Sequence, residues 1–124
     1  MKNVKRLLAL LVFFGCMSAY GQTEIKMEEL SAHVGDSVKV TTKIFGGIYL
    51  SQSQGTPTLL NAGGKYPDAL LTLFIGPETR NKFSSPPEEM FKDKEITVTG
   101  KVILFKNKPE MVIYSQDQIV ATGK

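Results

Sequence analysis

The sequence KDKEITVTGKVILFKNKPEMVIY, residues 92–114, predicts two β-strands joined by a tight turn. From residue 96 to residue 105 its side chains alternate in a period of two, so one face can be buried while much of the other stays wet. Asn107 tolerates a positive φ and Pro109 fixes its own, which is turn chemistry. Met111 then begins a return strand. The stretch therefore predicts part of a small β-barrel.

The first residues of the chain have the pattern of an export signal. Three cations among residues 2–6 precede an uninterrupted apolar run at residues 7–14. Such a run is too short to span a membrane as a helix, which needs about 20 residues, but it fits the apolar region of a secretory signal. Ala19 and Gly21 supply small residues at the two positions that a signal peptidase recognises. We expect residues 1–21 to be a signal peptide and residues 22–124 to be the mature chain.

Cys16 leaves a second interpretation of this leader open. Gly15-Cys16 after an apolar run resembles a bacterial lipobox, although Phe14 occupies a position that usually holds a small residue. A lipoprotein signal would end before Cys16, whose acylation would anchor the domain to a membrane through lipid alone. Cleavage after Gly21 would instead leave no cysteine, and so neither a disulfide nor a thiol nucleophile. Both interpretations predict an extracytoplasmic location, in the periplasm or envelope of a bacterium.

The net charge belongs to the leader rather than to the mature chain. The whole sequence has 15 basic and 12 acidic residues, a formal charge of +3. Removing residues 1–21 takes away three basic residues and no acidic one, which leaves twelve of each. Nucleic-acid binding draws much of its affinity from Lys and Arg at the phosphates, so net charge gives it no support here.

The mature sequence predicts one domain of five short strands, without internal repeats. Gly46-Gly47 inside the first strand predicts a bulge or sharp bend. A short helix is expected over residues 25–33, and another is expected to start at Pro86-Pro87. The predicted strands cover residues 38–50, 57–60, 69–75 and 96–105, with a fifth beginning at Met111. The prediction is a mainly β, five-stranded OB-fold barrel, with a short N-terminal helix and a helix between strands three and four.

The sequence also resembles a family of small exported bacterial OB-fold domains, described as nucleic-acid-binding-like or related to the tRNA-anticodon-binding barrel. The resemblance covers roughly residues 32–119. The segments that carry the resemblance are HVGDSVKV, TLLNAGGKYPDALLTLFI, residues 92–114, and Gln118-Ile119. Asn107 stands where the family usually has Gly, and Glu110 where it usually has Gln. The resemblance implies the OB-fold and a nucleic-acid-like ligand, although Glu110 makes that edge less attractive to phosphate.

The residues give no pattern of an enzyme, a metal site or a cofactor site. His33 is the only histidine and lies at the end of a short helix, where a cation is favoured. One histidine without cysteine makes no zinc set. Glu88-Glu89 is best explained as a solvated helix start, and no serine lies in a nucleophile elbow. We therefore predict a binding protein that is not an enzyme, with no cofactor and no metal.

The predicted ligand surface follows from how OB-folds bind single strands. Oligonucleotides cross the second and third strands, where aromatic rings stack on bases and cations follow the backbone. We expect the Tyr66 ring, as part of a Tyr-Pro turn, to pack over the end of the barrel. The candidate ligand-binding residues are Lys39, Lys43, Tyr49, Lys65, Tyr66, Arg80 and Lys82.

Two functions from different classes remain open. One is an exported OB-fold module that binds single-stranded nucleic acid or another anionic oligomer, for which basic residues and exposed tyrosines should share a face. The other is an extracytoplasmic module that binds a protein or glycan of the envelope and no nucleic acid. It predicts a face of mixed charge without a cationic groove.

Overall fold

The computed structural model describes residues 22–122. The predicted signal peptide, its cleavage after Gly21 and acylation at Cys16 lie outside these residues. The strands are β1 (Thr23–Glu24), β2 (Ser37–Tyr49), β3 (Thr58–Ala62), β4 (Leu71–Ile75), β5 (Glu95–Lys101), β6 (Ile103–Phe105), β7 (Lys108–Ile113) and β8 (Ile119–Ala121). The helices are a 3-10 helix (Met27–His33), α1 (Pro77–Arg80), α2 (Pro87–Met90) and a second 3-10 helix (Gln116–Gln118).

The strands form the OB-fold barrel that the sequence predicts. They lie in the order β6-β7-β4-β3-β2-β5-β8, with β4 and β7 parallel and with β1 parallel to β2. β5 and β6 are two parts of one predicted strand, interrupted at Val102. Because β5 pairs with β2 and β6 pairs with β7, this strand closes the barrel. The helices between β4 and β5 occupy the predicted place, and the predicted N-terminal helix has 3-10 geometry.

The longest strand, β2, serves both halves of the barrel through a bulge at Phe45. Its first half pairs with β5 and its second half with β3, and the register shifts between Ile44 and Gly46. Gly46 has φ +139°, a conformation that glycine adopts without steric cost. An extra residue in one strand bends it and reverses which side chains face the core. The bend predicted from Gly46-Gly47 is therefore confirmed.

The core lies inside the barrel and is built from alternate residues of every long strand. Apolar burial of this kind is the main favourable term in folding. The fully covered core side chains, each at most 1% exposed, include Val38, Val40, Ile44, Leu60, Leu71, Leu73, Ile75, Ile96, Val98, Met111 and Ile113. Leu30 of the first 3-10 helix joins them and closes one end. Phe83 and Phe91, which flank α2, meet edge to face at 6.2 Å between ring centres.

The turn between β6 and β7 has two residues, Lys106 and Asn107. Phe105 pairs with Lys108, and the two turn residues have φ +52° and +66°. A two-residue hairpin loop with two positive φ values matches the twist of its strands. The prediction that Asn107 permits this turn is confirmed.

Candidate nucleic-acid interface

An apolar row of side chains crosses the outer face of the barrel on the strands where OB-folds bind ligands. Ile48 pairs with Leu59, Leu59 with Phe74, and Phe74 with Val112. The neighbours of Leu59, Phe74 and Val112 along their strands are buried, so these three side chains point outward, and Ile48 pairs with Leu59 on the same face. Ile48 is exposed and the other three are half-buried. An outward row this apolar offers contact area to a ligand.

A second, more polar row runs beside the first. Asn61 pairs with Thr72, Thr72 with Glu110, and Glu110 with Ile103. The two rows are two residues apart along each strand, about 7 Å. Together the two rows extend from β2 across β3, β4 and β7 to β6, a distance of four strand spacings or about 19 Å. We call these two rows, with Tyr66 and Tyr114, the outer track.

Two depressions lie at the ends of the outer track, and each is bordered by an exposed tyrosine. The first has a volume of about 520 Å³ and is lined by Gly47, Ile48, Leu50, Leu59, Asn61 and Tyr66. The second has a volume of about 420 Å³ and is lined by Ser37, Lys101, Ile103, Val112, Tyr114 and Gln118. The Tyr66 and Tyr114 side chains are 81% and 73% exposed. In proteins that bind single-stranded nucleic acid, bases stack on exposed aromatic rings.

Glu110 is the acidic side chain of the outer track. It is half-buried between Thr72 and Ile103, and this burial raises the pKa of its carboxyl group. Among the described residues no side chain forms an ion pair with it or donates a hydrogen bond to it. A partly desolvated carboxylate without a donor is energetically costly. A ligand that supplies donors at this point would remove that cost.

Lysines lie beside the outer track, although residues 22–124 have as many acidic as basic residues. Lys101 lines the second depression. Lys108 has the same outward parity as Glu110, two residues away on β7, and its Nζ donates to the backbone oxygen of Pro67 at 2.9 Å. This bond ties the β3–β4 loop, which carries Tyr66, to the β6–β7 hairpin. The two lysines therefore lie where a backbone crossing the track would pass.

Arg80 and Tyr49 form a separate cluster at one end of the barrel. Arg80 Nη1 donates to Thr58 Oγ1 at 2.8 Å and to Glu88 Oε1 at 2.7 Å, and Nη2 donates to Glu88 Oε2 at 3.1 Å. The guanidinium carbon lies 3.7 Å from the centre of the Tyr49 ring. Hydrogen bonding between Arg80 and Glu88 raises the pKa of Arg80 and lowers the pKa of Glu88. The cluster joins both helices between β4 and β5 to the barrel.

The bulge explains why Tyr49 belongs to this cluster. Before it, the even-numbered residues of β2 face the core, whereas after it Tyr49 pairs with the buried Thr58. Tyr49 therefore turns toward the end of the barrel, where Arg80 covers its ring. Arg80 already has Glu88 as its charge partner, so a phosphate would have to compete with that carboxylate. The roles of Tyr49 and Arg80 in ligand binding stay predictions.

The other predicted ligand-binding residues do not share one face. Lys39 and Lys43 lie on the outward side of the half of β2 that pairs with β5, and Lys43 Nζ lies 4.9 Å from the centre of the Phe45 ring. Lys65 and Tyr66 lie together in the β3–β4 loop, and Lys82 is exposed just after α1. Only this loop meets the outer track, and the binding roles of the four lysines and Tyr66 stay predictions.

The prediction that the Tyr66 ring packs over the end of the barrel is wrong. The side chain is 81% exposed and lies beside Leu59 and Asn61 at the first depression. The reason is that Lys108 holds the backbone of Pro67, so the loop is fixed without the Tyr66 ring. Exposure leaves that ring available to a ligand.

Sequence reasoning did not find most of the outer track. It did not single out Phe74, Tyr114, Lys101 or Lys108 as ligand-binding residues. Alternation within residues 71–75 and 108–114 could have placed Phe74 and Tyr114 on outward faces. The parallel pairing of Phe74 with Val112, which joins those faces, has no local signal in the sequence.

Within residues 22–122 no three metal-ligating side chains come together. Over the same residues no helix has the length and apolarity needed to cross a membrane. The predictions that the protein is not an enzyme and that it is extracytoplasmic stay predictions.

Comparison with known proteins gives the fold but no family. No protein-family model matches this sequence, and no curated protein matches it. Among solved structures, the chain is similar to a protein from Leishmania major Friedlin named as an aspartyl-tRNA synthetase, with a TM-score of 0.52 and 13% sequence identity. The similarity covers 84% of this chain and 21% of that protein, so this chain corresponds to about a fifth of its length. At this identity the likeness supports the fold alone.

Proposed function

We propose that this protein is an exported OB-fold module that binds single-stranded nucleic acid along the outer track. The observation that carries the proposal is the apolar row from Ile48 to Val112, with exposed tyrosines at both ends. It crosses β3 and β4, the second and third barrel strands, where OB-folds bind oligonucleotides. Export rests on the sequence of residues 1–21.

Stacking contributes most of the affinity in this proposal. Each base that stacks on an aromatic ring contributes roughly 1–3 kcal/mol. Tyr66, Phe74 and Tyr114 are the rings available along the track. Replacing Tyr66 with alanine is therefore expected to weaken binding at least about fivefold. Tyr66 is 81% exposed, so folding should be unaffected.

The salt dependence should be shallow because few lysines lie beside the track. Lys101, Lys108 and Lys65 would neutralise about two or three phosphates. For single strands this gives a slope of about −1.4 to −2.1 in log K against log salt. Affinity should then fall about 7- to 18-fold between 50 and 200 mM salt.

Two charge-matched double variants test where the ligand binds. The first is Lys101→Gln with Lys108→Gln, beside the outer track. The second is Lys39→Gln with Lys43→Gln, on the half of β2 that pairs with β5. Residues 22–124 are titrated into fluorescently labelled single-stranded DNA and RNA at two salt concentrations. We expect the first pair to weaken binding and flatten the salt slope, and the second pair to leave both unchanged. The opposite ranking would favour the site predicted from the sequence, and no saturable binding at low salt would refute the proposal.

A second candidate function is binding of a protein segment in the envelope. The observation that favours it is Glu110, a carboxylate without a described donor in the middle of an apolar face. A segment with apolar side chains around one Arg or Lys would fit such a face. Failure of every oligonucleotide in the titration above would make this candidate the better one. The next experiment would then be cross-linking in the envelope of the source cells.

A further inference from the structure

On β7 the polar row of the outer track is represented by Glu110. Its carboxylate receives no hydrogen bond from the described residues. Glu110 lies between Thr72 of β4 and Ile103 of β6, and it is half-buried on a face that otherwise offers contact area to a ligand. An ionised carboxylate is an acceptor only, and its two oxygens can receive two parallel hydrogen bonds. What this position lacks is a group with N–H donors.

In a DNA strand such donors can come only from the bases. Phosphates carry negative charge and are repelled by Glu110. The bases of a single strand are recognised by stacking and by hydrogen bonds to their Watson–Crick edges. Guanine presents two adjacent donors there, N1–H and the N2 amino group. Thymine and uracil present one N–H between two carbonyl oxygens, which face a carboxylate unfavourably.

The two rows place stacking and edge recognition next to each other. Phe74 follows Thr72 by two residues on β4, and Val112 follows Glu110 by two residues on β7, which puts the rows about 7 Å apart. A base stacked over Phe74 can therefore turn its edge toward Glu110. Asn61 and Thr72 continue the polar row on the neighbouring strands. Lys101 and Lys108 lie beside the row on the β6–β7 side, where the phosphates of such a strand would pass.

We infer that Glu110 makes the outer track select guanine, through paired hydrogen bonds from guanine N1–H and N2–H to its carboxylate. This inference rests on the proposed function and names the base that the same site prefers. Glu110 is then a specificity-determining residue. A paired contact of this kind discriminates against the wrong base by about tenfold or more.

The experiment compares three labelled DNA strands of equal length on the same protein. They are an alternating thymidine–guanosine strand, an alternating thymidine–inosine strand and oligothymidine. Inosine keeps N1–H and lacks the N2 amino group, so it tests one of the two bonds. The expected order of affinity is guanosine, inosine, thymidine, with about tenfold between the first and the last.

Glu110→Gln tests the residue, and Glu78→Gln, on exposed α1, is the matched control. Glu110→Gln should abolish most of the guanosine preference while saturable binding to all three strands is kept, which a loss of folding would not allow. Glu78→Gln should leave all three affinities unchanged. Equal affinity of the wild-type protein for the three strands, or a preference that survives Glu110→Gln, would overturn the inference and leave the proposed function standing. Absence of binding to all three strands would overturn the proposed function itself.

Discussion

Replacing Arg80 with methionine removes the charge that joins α1 and α2 to the barrel while keeping most of the aliphatic side chain over Tyr49. The guanidinium makes three hydrogen bonds, two to Glu88 and one to Thr58. The side chains of Arg80 and Glu88 are only 15% and 17% exposed. Exposed ion pairs contribute about 0–1 kcal/mol, and breaking a fully buried pair costs about 3–5 kcal/mol. For this largely covered pair we expect Arg80→Met to cost about 2–3 kcal/mol.

Urea unfolding with a double-mutant cycle measures this cost. Glu88→Gln, which keeps the shape and loses the charge, should cost about 1–2 kcal/mol. Because both variants break the same contact, the double variant should be less destabilised than their sum by about 1 kcal/mol or more. Lys82→Met is the control, since Lys82 is exposed nearby, and it should change stability by less than about 0.5 kcal/mol.

The pH dependence gives an independent test of the same pair. Hydrogen bonding from Arg80 lowers the pKa of Glu88 in the folded state. The stabilisation is therefore fully present above the unfolded-state pKa of this carboxyl group and is lost as the pH falls through its folded-state pKa. The difference in the free energy of unfolding between wild type and Arg80→Met should therefore become smaller in acid. A cost below about 1 kcal/mol, an additive cycle, or a difference that is constant with pH would refute the reasoning.

Three further predictions concern the barrel. Gly47→Ala should lower the free energy of unfolding in urea by about 2 kcal/mol or more, because the new Cβ would lie 2.6 Å from the backbone oxygen of Leu59. Gly76→Ala is the control, since there is open space around Gly76. A comparable loss of stability in Gly76→Ala would contradict the steric reason. Burial raises the pKa of Glu110, so stability should decline as the pH rises through the interval from its unfolded-state to its folded-state pKa. Glu110→Gln should remove that decline, and a slope identical to wild type would show that another group causes it. Lys106→Gly should raise the midpoint of thermal unfolding, with a gain in stability of up to about 1 kcal/mol, because Lys106 has φ +52° and glycine adopts this conformation without strain. A lower midpoint would mean that the greater entropy of the unfolded chain outweighs the relief of backbone strain.

Local patterns in the sequence predicted the fold because each strand carries its own signal. The alternation at residues 96–105 marked the strand that closes the barrel, and Asn107 marked the hairpin turn. Gly46-Gly47 marked the bulge that lets β2 pair with both β3 and β5. These are effects of one or two residues on backbone conformation, so they can be seen without knowing the partner strand.

The outer track could not be predicted in the same way, since it depends on register between distant segments. Phe74 and Val112 become neighbours only through the parallel pairing of β4 and β7. The bulge at Phe45 reverses the facing of the residues after it, so Tyr49 joins Arg80 at the end of the barrel instead of the outer face. The loop that carries Tyr66 is tied to the β6–β7 hairpin by the bond from Lys108 to Pro67, two residues that are far apart in sequence. A single sequence contains no direct record of such pairings.

The most direct test of the central claim is to map where a single strand binds by nuclear magnetic resonance. An isotope-labelled sample of residues 22–124 is titrated with a short single-stranded oligonucleotide, and the backbone amide shifts are followed. The outer track predicts that the largest changes cluster on β3, β4 and β7 and around Tyr66 and Tyr114. Changes that instead cluster around Lys39 and Lys43 on the first half of β2, or no changes at saturating oligonucleotide, would contradict the account.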